Sequence, residues 1–284
     1  MMVLESLINP TRAEHRPWVL FFLGFVYATV GLFLGLWIFE EYASMIMIFL
    51  TTMAAIPLVF STIDLEEKKD EDLYGEKTLL KEHGKALSVF LFLFLGATFA
   101  FTVWYVVLPA DITNVLFTSQ SKTIGNLNQQ LTGNATNEFP LFAKIFMNNL
   151  KVLIFCILFS FIYGMGAIFI LVWNASVIAA ALGNFIKSHI AQYALSHGFS
   201  QVGSYFYAVS LSFTRYMIHG IPEIIAYIIA GLAGGIISVA VIRHNIGSKK
   251  FYHVLLDAMD LLLVSVGILI IAGLMEVFLT PLLI

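Results

Sequence analysis

Charge is what this sequence has least of. Lysine, arginine, aspartate and glutamate make up 12% of its 284 residues, about half the share in an average soluble domain. Cysteine is nearly absent: Cys156 stands alone in an apolar run. It can form no internal disulfide, no zinc-type cysteine spacing exists, and a small buried hydrophobe is its plainest reading. No P-loop or dinucleotide-binding glycine pattern stands in a usable context, no internal repeat is visible, and no nucleic-acid partner is expected. What the chain has instead is apolar length. It is 60% hydrophobic with a mean hydropathy of +0.90, and several runs exceed the roughly 20 residues that cross a bilayer as a helix. The fold class that follows is all-α: a polytopic transmembrane helix bundle of six or seven membrane segments, forming one integral membrane domain over residues 1–284.

The hydropathy pattern predicts spans over about Trp18–Phe39, Tyr42–Ile63, Ala86–Leu108, Leu150–Trp173, Ala175–Leu195, His219–Ile242 and Leu256–Leu279. The first lacks a small-residue cleavage site and is too long for a signal core, so it reads as a retained anchor. Pro57 predicts a kink in the second. The fifth is the weakest, interrupted by Gly183, Asn184, Lys187 and His189, and Val202–Ile218 suits an interfacial or re-entrant helix. Between the second and third spans, "DLEEKKDEDLYGEKTLLKEHGK" (64–85) holds five lysines and eight acids, which reads as a solvated charged loop with a short helix. Residues 109–147 read as a polar loop on the opposite side.

Orientation follows from lysine and arginine near the spans. Arg12, Arg16, Lys68 to Lys85, Arg243, Lys249 and Lys250 fall on one side if all seven segments cross. This predicts a cell-membrane protein with a cytoplasmic amino terminus, a cytoplasmic 64–85 loop, an external 109–147 loop and an external carboxyl terminus. "NAT" at Asn134 is a glycosylation acceptor in the loop placed outside.

Polar residues in such a chain need an explanation, because ionisable groups in membrane spans are costly and usually face protein or water. In "HGIPEIIAYIIAGLAGG", His219 and Glu223 are one helical turn apart on one face. The alternating topology puts Glu276 at the same depth near the outer surface, with Arg215 just before the sixth span and Asn149 opening the fourth. His219, Glu223, Glu276, Arg215 and Asn149 are therefore the candidate functional cluster. The two carboxylates would titrate as a pair sharing one proton or a cation. Gly220, Gly231, Gly234 and Gly235 are candidate positions for close helix packing. A structural cap or hydrogen-bonded cluster, a water-filled pathway, and a metal held by His219, Glu223 and Glu276 all remain open readings of these residues. No cofactor is expected, since nothing here is specific to one metal.

The motifs "FMNNLKV", "WNASVIAAALG", "HGIPEIIAYIIAGLAGG" and "EVFLTP", in this order and spacing, resemble the stage II sporulation protein M family. The front of the chain, "NPTRAEHRPWVLFFLGFVYA", "LLKEHGKAL" and "WYVVLP", is similar to its archaeal-type branch. One departure is Asn174-Ala175, where the family pattern has asparagine-glycine. The resemblance implies a non-enzymatic membrane scaffold, part of an envelope or membrane-remodelling complex, with the bilayer and either protein partners or further copies of itself as associates. Two other classes stay open: a transporter or channel with the His/Glu cluster in its pathway, and an intramembrane metalloenzyme.

Overall fold

The computed structural model describes residues 16–71, 76–132, 138–163, 166–196, 202–243 and 247–279. Among them are nine α-helices and no strand. They are α1 (Pro17–Ile38), α2 (Ala43–Glu71), α3 (Glu76–Val107), α4 (Ala110–Leu116), α5 (Thr118–Thr132), α6 (Glu138–Tyr163), α7 (Gly166–Ser196), α8 (Val202–Arg243) and α9 (Lys249–Leu274), the last continuing into a π-helical turn at Met275–Leu279. Seven of them hold stretches long and apolar enough to cross a membrane: Pro17–Ile38, Glu40–Lys69, His83–Val107, Phe139–Ser160, Ala167–Ser188, Gly220–Arg243 and Lys249–Leu279. The protein is a membrane-embedded helical bundle.

Local chemistry marks several helix ends. Pro17 opens α1, where a missing N–H costs nothing. The side chain of Ser248 accepts from the Phe251 N–H and caps α9. Pairwise contacts show the running directions. Phe21 meets Phe99 and Thr29 meets Trp104, so α1 and α3 are parallel. Asn149 meets Glu223 and Ile157 meets Gly234, so α6 and α8 are parallel as well. Helix α9 runs antiparallel to α8, with Ser265 on Ala226. The α1–α3 crossing is a close backbone approach: a Cβ on Gly24 would collide with the Leu93 carbonyl, and one on Gly96 with that of Phe21. In lipid, where lipid tails are as apolar as leucine, such small-residue contact is what lets helices associate.

Four sequence expectations change here. The fourth and fifth spans divide between Tyr163 and Gly166 rather than at Asn174. Asn174 does not break the helix, because its Nδ2 donates to the Ile170 carbonyl one turn back at 2.8 Å. The residues expected to interrupt the fifth span lie inside continuous helix. Gly183 makes room for the Tyr105 ring, 2.5 Å from where its Cβ would be. Lys187 Nζ donates to the Leu108 carbonyl at 2.8 Å, satisfying an orphan acceptor at the end of α3. Val202–Ile218 is no separate re-entrant element; α8 runs unbroken through Pro222. Its 42 residues extend about 63 Å at ~1.5 Å each, roughly twice the hydrocarbon thickness. Finally, the charged 64–85 stretch is mostly helix, forming the end of α2 and the start of α3.

Candidate functional site

Three helices build the cluster around Glu223. Asn149 comes from α6, Glu223 from α8 just after Pro222, and Glu276 from the π turn that ends α9. Asn149 Nδ2 donates a short hydrogen bond to Glu223 Oε1, and Asn149 is buried. Glu276 lies within Coulombic reach of Glu223. One turn further along α8, buried Tyr227 is within reach of both carboxylates and of Cys156. Below them Ser265 Oγ donates to the Ala226 carbonyl at 2.8 Å, tying α9 to α8. A π turn widens the helix by about one residue per turn and re-aims its side chains, and this one, which carries Glu276, packs against α6 and α8.

The helical period on α8 thus puts Glu223 and Tyr227 on the face that meets α6 and α9. The glycines that follow lie on the same helix. A Cβ on Gly231 would come 2.5 Å from the Ala167 methyl, and one on Gly234 would come 3.0 Å from the Ile157 carbonyl. Gly235 is buried. Gly220 does not make the close approach expected of it: among the described residues a Cβ there would meet nothing within 4 Å. It stands at the first turn of the span, before α8 sinks between its neighbours. The side chains of Arg215 and His219 and all of Asn134 lie outside the described residues. Among those described, no group of three or more His, Cys, Asp or Glu side chains stands close enough to hold a metal ion.

The opposite end of the bundle holds charges that the sequence reading left in solvent. Glu66 and Glu67 of α2 and His83 of α3 are all buried. Glu66 contacts Lys69 Nζ at 2.6 Å and His83 Nδ1 at 2.8 Å. Arg243, the last residue of α8, donates to Glu67 at 2.6 Å and also pairs with Asp64, which Lys68 meets at 2.9 Å. Arg243 follows Asp64 by 179 positions, so only the i,i+3 and i,i+4 spacing of the acids and lysines could have hinted at this cluster.

A third polar contact also escaped the sequence reading. Helices α4 and α5, within the stretch read as an external loop, pack Leu116, Phe117 and Gln120 fully into the bundle. Gln120 accepts from Ser44 Oγ at 3.0 Å and donates to Ser176 Oγ at 3.1 Å, linking α5, α2 and α7. The run "ITNVLF" was the available signal, since a solvated loop has little reason to carry four large apolar residues in six.

The family model for stage II sporulation protein M matches residues 88–281, which takes in α4 to α9 and the span of α3 almost whole. No curated protein and no solved structure matches the chain. With the match extending over more than half the sequence and ending beyond Glu276, the chain belongs to the stage II sporulation protein M family.

Proposed function

We propose that this protein is a non-enzymatic membrane scaffold whose open helix face, on α6, joins it to a partner protein or a second copy. The observation that carries this reading is the sparse packing of α6. Of its most apolar stretch 17% is buried, against 83% for its parallel neighbour α8. The open face carries Asn148 and Lys151 among Met147, Ile154, Phe155 and Leu158. Asparagine at a helix surface in lipid supports association, because a hydrogen bond across helices relieves its exposure to hydrocarbon. Lysine can lift its ammonium towards the interface along its own stem, but a facing carboxylate would serve it better. The inner face of α6 meanwhile spends Asn149 on Glu223, so cluster and open face are back to back on one helix.

The orientation belongs to this proposal. Arg16, the Lys68–Lys85 group and Arg243 to Lys250 would face the cytoplasm, placing the Glu223 cluster near the outer surface. Cysteines introduced at Asn134 and Lys250 should then react with an impermeant reagent from opposite faces of the membrane.

The experiment is residue-specific crosslinking in native membranes, with Cys156 replaced by serine. A cysteine at Phe155 or Leu158 should give crosslinked species, whereas one at Leu263, exposed on α9, should not. Equal yields from both faces would sink the scaffold face. A second reading is favoured by one observation, the approach of two carboxylates carried by α8 and the turn that ends α9. Paired acids there suit a proton or cation pathway. Flux in proteoliposomes that disappears in Glu223→Gln would replace the scaffold with a transporter.

A further inference from the structure

We propose that a cleft between α1, α3, α7 and α8 is a binding site for a single hydrocarbon chain of a bilayer lipid. The cleft has a volume of about 360 Å³. Its walls are Phe21 of α1, Phe99 of α3, Leu182 and Ile186 of α7, and Ile221 and Ile224 of α8, with further α3 residues between them. Every one of these positions falls inside a candidate membrane span. Phe99 and Ile221, at the rim, are 52% and 42% exposed, so the mouth opens to the hydrocarbon of the bilayer.

Chemistry and size select the occupant. The hydroxyls of Thr98 and Thr102, which also line the cleft, each donate at 2.8 Å to the carbonyl one turn back. Their donors are thus committed within α3. A water needs two to four polar partners to stay, and no wall residue is charged. Left empty, the lining would forgo dispersion contacts on one side, while liquid hydrocarbon lies at the mouth. A second protein helix is too large: at roughly 10–12 Å across and ~5.4 Å per turn, one turn alone exceeds the cleft. A methylene is about the size of a water molecule, whose share of liquid is ~30 Å³, so the cleft takes about a dozen. That is one tail.

The tail would lie on the far side of the α8 turn that carries Glu223, since Ile221 and Ile224 flank that residue in sequence. It would fill the seam between the α1–α3 pair and α7–α8. This site does not depend on whether α6 binds a partner, and it goes beyond the scaffold reading. The chemistry recognised is a saturated or branched hydrocarbon chain, from an acyl or an isoprenoid lipid.

Photo-crosslinking of the full-length protein tests it. The protein is reconstituted into phosphatidylcholine vesicles doped with a lipid bearing a diazirine on its acyl tail, or in a second arm on an isoprenoid tail. Adducts are mapped by mass spectrometry. Label should concentrate at Phe99, Ile186 and Ile221, and should persist at dopant levels where label at Leu263 on the outer face of α9 has faded. Leu182→Trp, which fills the cleft, should abolish the cleft label and leave that at Leu263 unchanged. Ile186→Trp serves if the first variant is not monodisperse. The arm that labels identifies the tail. Label at the cleft no stronger than at Leu263, label indifferent to both fillings, or no cleft label from either tail would each overturn the site.

Discussion

At the end where α2, α3 and α8 meet, Glu66 and Glu67 are fully buried, and each is met by a cation from a different turn or helix. At the other end Glu223 and Glu276 lie within Coulombic reach of each other, and the described hydrogen bond to Glu223 comes from the neutral amide of Asn149. Both clusters join three helices, but their electrostatics differ in sign. The first is balanced and acts as a staple, because its attraction exists only when α2, α3 and α8 are assembled. The second brings two carboxylates together beside the neutral amide of Asn149.

The largest effect expected from this contrast is at the balanced end. Arg243→Met keeps the stem and removes the charge, taking away the 2.6 Å contact to buried Glu67 and the pairing with Asp64. Breaking a buried pair costs about 3–5 kcal/mol. Arg243 is 32% exposed, and water would reach part of the gap, so a loss near ~3 kcal/mol is expected. Thermal and denaturant unfolding in detergent measure it. A loss no greater than that of an exposed lysine would mean that the cluster is a surface feature.

Neutralisation at the other end should have the opposite sign. Glu223→Gln retains an acceptor for Asn149 and removes the repulsion with Glu276. It should leave stability unchanged or raise it by about 1 kcal/mol, within the ~0.5–3 kcal/mol typical of coupled neighbours. Glu276→Gln should behave alike, and the double variant should gain no more than either single one. Additive effects would show that the two carboxylates do not interact. A destabilisation matching that of Arg243→Met would erase the contrast between the ends.

The smallest effect concerns the link beneath the carboxylates. Ser265→Ala removes the donor to the Ala226 carbonyl, and interhelical hydrogen bonds in membranes average about 0.6 kcal/mol. A loss of that size should leave Arg243→Met fully additive, since the two lie at opposite ends. Strong non-additivity would mean that the ends are coupled through α8.

Sequence alone determined the seven apolar helices and their alternation. A chain in hydrocarbon must satisfy its own backbone, so length and hydropathy specify the element without reference to any neighbour. The same local period set Glu223 and Tyr227 on one face, and Asn149 and Glu276, which the alternation of spans predicts beside Glu223, are within its reach. Tertiary structure decided which faces point inward. Gly231 and Gly234 sit where a Cβ would meet another helix, while a Cβ on Gly220, alike in sequence, would meet nothing described within 4 Å. Glu66 and Glu67 are buried because Arg243, His83 and Lys69 arrive to meet charges that hydropathy assigns to solvent. Lys187, read as a helix breaker, caps α3 instead. In each case the deciding partner lies on another helix or turn, often more than seventy residues away, and a charge's cost depends on what faces it, which no local window contains.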